Sequence, residues 1–204
     1  MYNICMQKKL GKITTNNNLK TSNAPPGQFI TEKFPVFSVF PTPSINLDTW
    51  KLTITADSNP IREYKWDEII KLEKDNIEED FHCVTQWSRL DTKWEGLLVK
   101  NLFKNLDTNS DLKYVNITCY DGYTTNILKT DLLSPKTILA TKFEGEELEP
   151  SHGWPLRLVI PHLYGWKSAK WIKEIQFTSS PMPGFWEVRG YHMNGDPWKH
   201  ERFS

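Results

Sequence analysis

The chain has 204 residues, with 25 Lys plus Arg balanced by 25 Asp plus Glu, so its formal charge is zero. That balance offers no electrostatic case for nucleic acid or an anionic membrane surface as partner. Hydrophobic content of 38 % with nine tryptophans is enough to build a packed core and excludes global disorder, while no window approaches the ~18 apolar residues of a membrane-spanning helix.

The length suits one generous domain or two small ones. Residues 1–24 are rich in Lys, Asn and Thr without apolar periodicity, and Pro25-Pro26-Gly27 ends them. They are expected to form a flexible N-terminal arm, with a single domain over 25–204. The first ten residues contain no apolar h-region, so no secretory signal is expected. Cys5, Cys83 and Cys119 have no framework spacing, which points to reduced thiols and a cytoplasmic protein.

Pro35, Pro41 and Pro43 among aromatics predict an irregular segment wrapped on the body. Trp50, Leu52 and Ile54 alternate with polar residues, as in a half-buried strand. Trp66, Ile69, Ile70 and Leu72 have helical spacing. Residues 75–80 are expected as an acidic turn. A strand is then expected over 81–87, with Phe81, Cys83, Thr85 and Trp87 on one face. Leu97, Leu98, Leu102, Phe103 and Leu106 predict a second helix. Strands are expected over 114–119, 138–143, 156–160 and 172–177, and Asp121-Gly122 supplies a turn after the first of these. Strands and short helices without strict alternation indicate an α+β fold with mixed sheets.

Four segments carry possible chemistry. Cys83 is either a small buried apolar group or a thiolate acting as ligand or nucleophile. Residues 118–126 place many hydrogen-bonding side chains in a loop leaving a strand, where sites are commonly built. In His152-Gly153-Trp154-Pro155-Leu156-Arg157, Arg157 offers a planar fork suited to a phosphate. Either His152 and Arg157 serve such a ligand or they belong to surface ion pairs. Residues 164–171 could cradle a phosphate on backbone N–H groups, although Gly165-x-x-Ser168-x-Lys170 lacks the P-loop pattern. His82 and Cys83 point to opposite faces of a strand, so zinc is a poor fit. A Cys–His hydrolase using Cys83 and His152 stays open, whereas no Gly-x-Ser-x-Gly elbow supports a serine hydrolase.

In this order and spacing, the Cys83-Val84-x-x-Trp87-Ser88, His152-Gly153-x-Pro155-Leu156-Arg157 and Gly165-x-Lys167-Ser168-x-Lys170-Trp171 segments resemble the molybdopterin-binding domain of the sulfite oxidase superfamily. The likeness is greatest to its small single-domain members and to the catalytic subunit of the periplasmic methionine sulfoxide reductase, and it runs from about Pro25 to Trp198. The resemblance implies a sulfite oxidase-type fold of mixed β-sheets with short flanking helices, and a molybdenum–molybdopterin cofactor. It further implies that Cys83 is the metal ligand and a catalytic residue. His152 and Arg157 would hold the pterin and its phosphate, while Ser168, Ala169 and Lys170 would form the terminal-phosphate cradle. Thr118 would be a polar cofactor contact, and Thr31, Lys33 and Phe34 further pterin contacts.

The chemistry agrees from below. One soft thiolate suits molybdenum already held by a dithiolene, and a planar ring with a phosphate tail calls for polar loops, Arg and Lys. Sulfite-oxidising relatives carry arginines soon after the ligand cysteine, whereas Gln86, Trp87 and Ser88 stand here. Two-electron oxygen-atom transfer on a small S-oxide or N-oxide is therefore expected, with a separate electron-transfer protein as partner. The resemblance includes neither a haem domain nor a dimerisation domain, so a monomer is expected. Tyr123, Tyr191 and His192 are candidates for the substrate mouth, with Tyr123 the catalytic one; packing in the aromatic core is their other reading. The alternative function is a domain that keeps this fold but binds another ligand or a protein partner.

Overall fold

In the computed structural model, residues 24–106, 108 and 111–204 are described. Of the expected arm, residues 1–23 lie outside them. Eleven strands and three one-turn helices follow in chain order among the described residues. They are β1 (Phe29–Ile30), β2 (Lys51–Ala56), β3 (Asn59–Lys65), α1 (Trp66–Ile69), β4 (Asp75–His82), β5 (Trp87–Leu98), α2 (Val99–Leu102), β6 (Tyr114–Cys119), β7 (Thr124–Leu128), α3 (Lys129–Leu132), β8 (Ile138–Phe143), β9 (Glu146–Glu147), β10 (Arg157–Val159) and β11 (Ile172–Thr178). The first sheet has the order β1-β5-β8-β10, with β4 on β5 and β9 on β8, and the second runs β3-β2-β11-β6-β7. Each sheet contains one parallel pair, β1 with β5 and β11 with β2, and its other pairs are antiparallel. The fold is thus α+β with mixed sheets and short flanking helices.

Alternation builds the core. Leu52 and Ile54 of β2, Val115 and Ile117 of β6, and Ile175 and Phe177 of β11 turn inward and are fully buried. They meet Leu97 of β5, Leu139 of β8 and Leu158 of β10 from the first sheet in one cluster. Each such side chain contributes about 1.5–3 kcal/mol by leaving water. A second cluster, Phe81, Trp87, Trp94, Ile138, Ala140, Leu148 and Val159, packs against Phe34 and Cys83. Gly96 fits a close approach of β5 and β8, because a Cβ there would lie 2.0 Å from the Leu139 carbonyl oxygen.

Three local expectations are corrected. Residues 75–80 form most of β4 rather than a turn, since the acidic side chains ride an edge strand whose inner neighbours pair with β5. Charges on an edge strand also guard it against pairing with another chain. The expected strand over 81–87 is broken: β4 ends at His82, Gln86 N–H donates to the Cys83 carbonyl over 3.0 Å, and Gln86 has φ +75°. Its alternation imitates a strand, but these residues make the tight turn between β4 and β5. The helix expected from Leu97 begins at Val99, because Leu97 and Leu98 still pair with Leu139 and Ile138 in the sheet.

Candidate active site

Turns from both sheets meet around a cleft of about 480 Å³. The β4–β5 turn brings Cys83, the β6–β7 turn brings Asp121 and Tyr123, and the loops flanking β10 bring His152 and residues 165, 166 and 168–171. Residues 34–39 form another wall. Of the predicted site residues, Phe34, Cys83, Tyr123, His152, Arg157, Ser168, Ala169 and Lys170 line this cleft.

Cys83 is fixed by its backbone, whose N–H donates to the Trp87 carbonyl over 2.8 Å. Its Sγ lies 3.1 Å from Thr85 Oγ1. Burial pushes the thiol pKa up, opposed by hydrogen bonds from Thr85 and by the N–H of Val84. A sulfur placed this way stays neutral unless a cation binds it.

Arg157 is buried, 4 % exposed. Its Nη1 donates to the His152 carbonyl at 2.9 Å and its Nη2 to the Ser168 carbonyl at 3.2 Å. The guanidinium lies 5.2 Å from the Trp94 ring centre and 5.8 Å from that of Phe81. Burial pulls its pKa down to about 9. Lys170 Nζ donates to the carbonyls of Phe37 and Ser151, each at 2.9 Å, and to Ser38 Oγ. Burial first, then the nearby charge of Arg157, lowers its pKa to about 8. Ser168 Oγ accepts the Ile160 N–H at 3.0 Å, and His152 Nε2 lies 3.3 Å from the Phe34 carbonyl oxygen. Gly153, at φ +112°, lets these groups converge, since a Cβ there would stand 2.9 Å from Arg157 Cβ and 3.2 Å from Lys170 Cβ.

The remaining predictions fall elsewhere. Thr31 Oγ1 accepts the Lys33 N–H at 3.1 Å on an exposed turn, and neither residue lines the cleft. Thr118 sits on β6 between Glu174 and Thr124 and is also outside the lining. Tyr123 lines the cleft, yet its hydroxyl donates to the Trp166 carbonyl at 2.7 Å, and burial raises its pKa well above the usual phenol value. Its proton therefore serves the wall rather than the open space. Tyr191 does line the cleft, and the sequence placed it at the mouth; His192 does not.

The residues present fit a phosphate-tailed, metal-bearing cofactor. The hydrogen bonds of Arg157 and Lys170 end on carbonyl and hydroxyl oxygens, so a buried and a half-buried cation face the cleft without a bonded carboxylate, Asp121 acting on Lys170 only through space. Arg157 Nε, Trp87 Nε1 and Trp166 Nε1 are buried without a hydrogen-bond partner, and all three residues line the cleft. Orphaned donors and cations without a bonded carboxylate are the complement of an anionic, acceptor-rich ligand, and the single thiol in the same cleft is the complement of a soft metal.

Such a fold and site define a cofactor-dependent oxidoreductase. The chain belongs to the oxidoreductase molybdopterin binding domain family, whose model matches residues 39–186, and its cofactor is molybdenum–molybdopterin. It is 38 % identical over 191 residues to the uncharacterized oxidoreductase YuiH of Bacillus subtilis, covering 93 % of this chain and 96 % of that one. It is 34 % identical over 113 residues to the putative protein-methionine-sulfoxide reductase subunit YedZ1 of Azospira oryzae, covering 55 % and 43 % of the two. Identity to the protein-methionine-sulfoxide reductase catalytic subunit MsrP of Campylobacter jejuni is 26 %, over 87 % of this chain and 66 % of that one. The chain thus spans nearly all of the first relative but only part of the other two. Among solved structures, the sulfane dehydrogenase SoxCD of Paracoccus pantotrophus superposes with a TM-score of 0.60 at 15 % identity, over 69 % of this chain and 41 % of that one. That likeness establishes the sulfite oxidase-type fold.

Proposed function

We propose that this molybdopterin-dependent oxidoreductase reduces a small, neutral S-oxide or N-oxide, with Cys83 as the thiolate ligand to the metal. His152, Arg157, Ser168, Ala169 and Lys170 bind and orient the pterin and its phosphate, and Phe34 forms part of the wall beside them. When bound, the cofactor supplies two-electron oxygen-atom transfer. The observation that carries this reading is that buried Arg157 and half-buried Lys170, neither hydrogen-bonded to a carboxylate, share one cleft with the Cys83 thiol.

The wall supports this substrate class. Val84, Trp186 and Tyr191 line the cleft with Cys83, and the residues after the cysteine are Gln86, Trp87 and Ser88. An apolar, aromatic mouth suits a neutral sulfoxide better than a dianion. The reaction balances as oxide plus two electrons and two protons giving the reduced product and water. A separate redox protein delivers the electrons, a role consistent with the subunit names of the methionine sulfoxide reductase relatives. Tyr191 holds a proton at its phenol oxygen, since burial and then the charge at Cys83 raise its pKa. We assign it hydrogen-bond donation to the substrate oxygen. The protein acts as a cytoplasmic monomer in this reading, consistent with free Cys83 and Cys119; light scattering after size exclusion and cell fractionation check both points.

Metal analysis of protein from a cofactor-competent host tests the proposal. About one molybdenum per chain is expected, with Cys83→Ser abolishing turnover while leaving the circular dichroism unchanged. Less than about a tenth of an equivalent, or full activity in Cys83→Ser, overturns it and favours a domain that binds another ligand.

A further inference from the structure

Successive side chains at a strand end leave on opposite faces, and β4 ends at His82 with Cys83 next. Cys83 lines the cofactor cleft, whereas His82 lines a second cavity of about 500 Å³. Glu79, Asp80, Asp131, Lys136 and Trp198 share that cavity with His82, and none of them lines the cleft.

His82 is only 3 % exposed, and a short relay fixes the direction of its hydrogen bonds. Gln28 Nε2 donates to the Cys83 carbonyl at 3.2 Å, which leaves Gln28 Oε1 to accept the Ser88 hydroxyl at 3.4 Å. With its proton directed there, Ser88 Oγ accepts from His82 Nδ1 at 2.8 Å. In the neutral ring Nε2 is then a bare acceptor, and it has no hydrogen-bond partner among the described residues.

The charged lining is acceptor-rich as well. Lys136 pairs with Glu79, and His162 Nε2 lies 3.1 Å from Asp131 Oδ1. Asp80 accepts the Asp91 N–H at 3.0 Å and forms no ion pair among the described residues. Three carboxylates thus face one ammonium. Trp198, 53 % exposed, stands edge-on to the His82 ring with centres 6.2 Å apart. A metal ion is a poor occupant, because no group of three ligating side chains stands together among the described residues.

We propose that this pocket binds a donor-rich organic cation, a guanidinium or primary ammonium group, with Asp80 and His82 Nε2 as its acceptors, and that Ser88 and Gln28 relay its occupancy to the Cys83 turn. A buried acceptor without a donor is costly, so an occupant carrying N–H groups relieves it. The carboxylate makes the bond charge-assisted, and the exposed indole adds a face that attracts cations. The site lies behind the Cys83 turn and uses none of the cleft residues.

The test uses the full chain labelled with a nitrogen isotope. It needs no cofactor, so its failure leaves the reading of Cys83 as metal ligand untouched. Agmatine, which carries a guanidinium and an ammonium group, is titrated while the His82 Nε2 resonance and the Val84 amide, next to the Cys83 carbonyl, are followed by nuclear magnetic resonance. Both are expected to move along one saturable curve. Tetramethylammonium has the charge but no N–H donor, and is expected to bind about 10-fold more weakly or worse. Asp80→Asn keeps an acceptor for the Asp91 N–H but loses the charge, and is expected to weaken agmatine by a similar factor. No saturation, equal binding of the two cations, or unchanged agmatine affinity in Asp80→Asn overturns the site. Saturation at His82 with a motionless Val84 amide overturns the relay. If Asp80→Asn does not fold, the comparison of the two cations on the wild-type chain decides. A short peptide with one arginine and capped ends then identifies the source of the cation. Affinity matching that of agmatine assigns the pocket to a basic side chain of a partner protein, and affinity about 10-fold weaker assigns it to a free amine; both results support the site.

Discussion

Arg157 and Lys170 hold positive charge where water is scarce, and each shows it in a lowered pKa, about 9 and about 8. Both folded values lie below the ordinary 12.5 and 10.5, so the charged forms are penalised by folding. For Lys170 the unfolded chain binds more protons between about 8 and 10.5, and stability contributed by this group rises with pH across that window. An anion in the cleft reverses the preference. Pyrophosphate added to cofactor-free protein is therefore expected to raise the melting temperature more at pH 7 than at pH 9, and Lys170→Met to reduce that difference. Equal effects at both pH values would contradict the assignment. Arg157→Ala removes charge-assisted bonds of ~1.5–3 kcal/mol, so cofactor affinity should fall about 10- to 100-fold while the far-ultraviolet circular dichroism is retained; full occupancy would argue against its role. The two cleft tyrosines separate a chemical from a structural phenol. Tyr191→Phe should lower kcat about 100-fold at constant metal content. Tyr123→Phe, whose hydroxyl serves the Trp166 carbonyl, should cost about 1 kcal/mol of stability with kcat nearly unchanged. Steady-state kinetics beside denaturant titration reads both outcomes, and the reverse pattern would return the catalytic role to Tyr123.

At the scale of elements, the loop that supplies Ser168 and Lys170 is held by the lysine between its glycine and serine. Lys167 is fully buried, and its Nζ donates to the Asn126 carbonyl at 2.6 Å, the Met193 carbonyl at 2.7 Å and Glu187 Oε1. Glu187 Oε1 also accepts the Thr125 hydroxyl at 2.9 Å. One buried ion pair thus fastens β7, the phosphate-side loop and the segment carrying Trp186 and Tyr191. Removing one partner of such a pair strands the other, at about 3–5 kcal/mol. Lys167→Met should therefore lower the unfolding free energy by that amount in urea titration, and Lys167→Met with Glu187→Leu should recover part of it. A loss below about 1 kcal/mol would show the pair to be energetically idle. The sequence displayed Lys167 inside a recognisable motif, but not its burial, because its partner is a glutamate in a distant loop. Alternation located β2, β6, β8 and β11 to within a residue or two of their observed ends. The same period misled at Cys83, where Gln86 at φ +75° closes a turn that alternating residues cannot reveal.

Across the whole molecule, the site exists only because two sheets bring their turns together, and that convergence separates what was legible from what was not. Cys83, His152, Arg157, Ser168 and Lys170 lie in short motifs, each held by local backbone geometry, so their types and spacing were readable. The wall at 36–39 and the retreat of Thr31, Lys33 and Thr118 from the cleft depend on contacts between distant segments, which no local pattern records. The wall is the clearest case. Val36, Phe37 and Val39 are 47 %, 57 % and 38 % exposed, so apolar burial does little to hold them. What ties the segment down is the Lys170 ammonium on the Phe37 carbonyl and Ser38 hydroxyl, together with the His152 contact to the Phe34 carbonyl oxygen. The phosphate cradle and the cleft wall are therefore coupled through one lysine. Segments anchored by a few polar contacts open locally at little free-energy cost. In cofactor-free Lys170→Met, amide hydrogen exchange over residues 36–39 should accelerate about tenfold or more, while the amides of β2 and β11 keep their wild-type rates. Acceleration spread over the whole chain would mean global destabilisation, and unchanged exchange at 36–39 would show that the wall stands without its lysine.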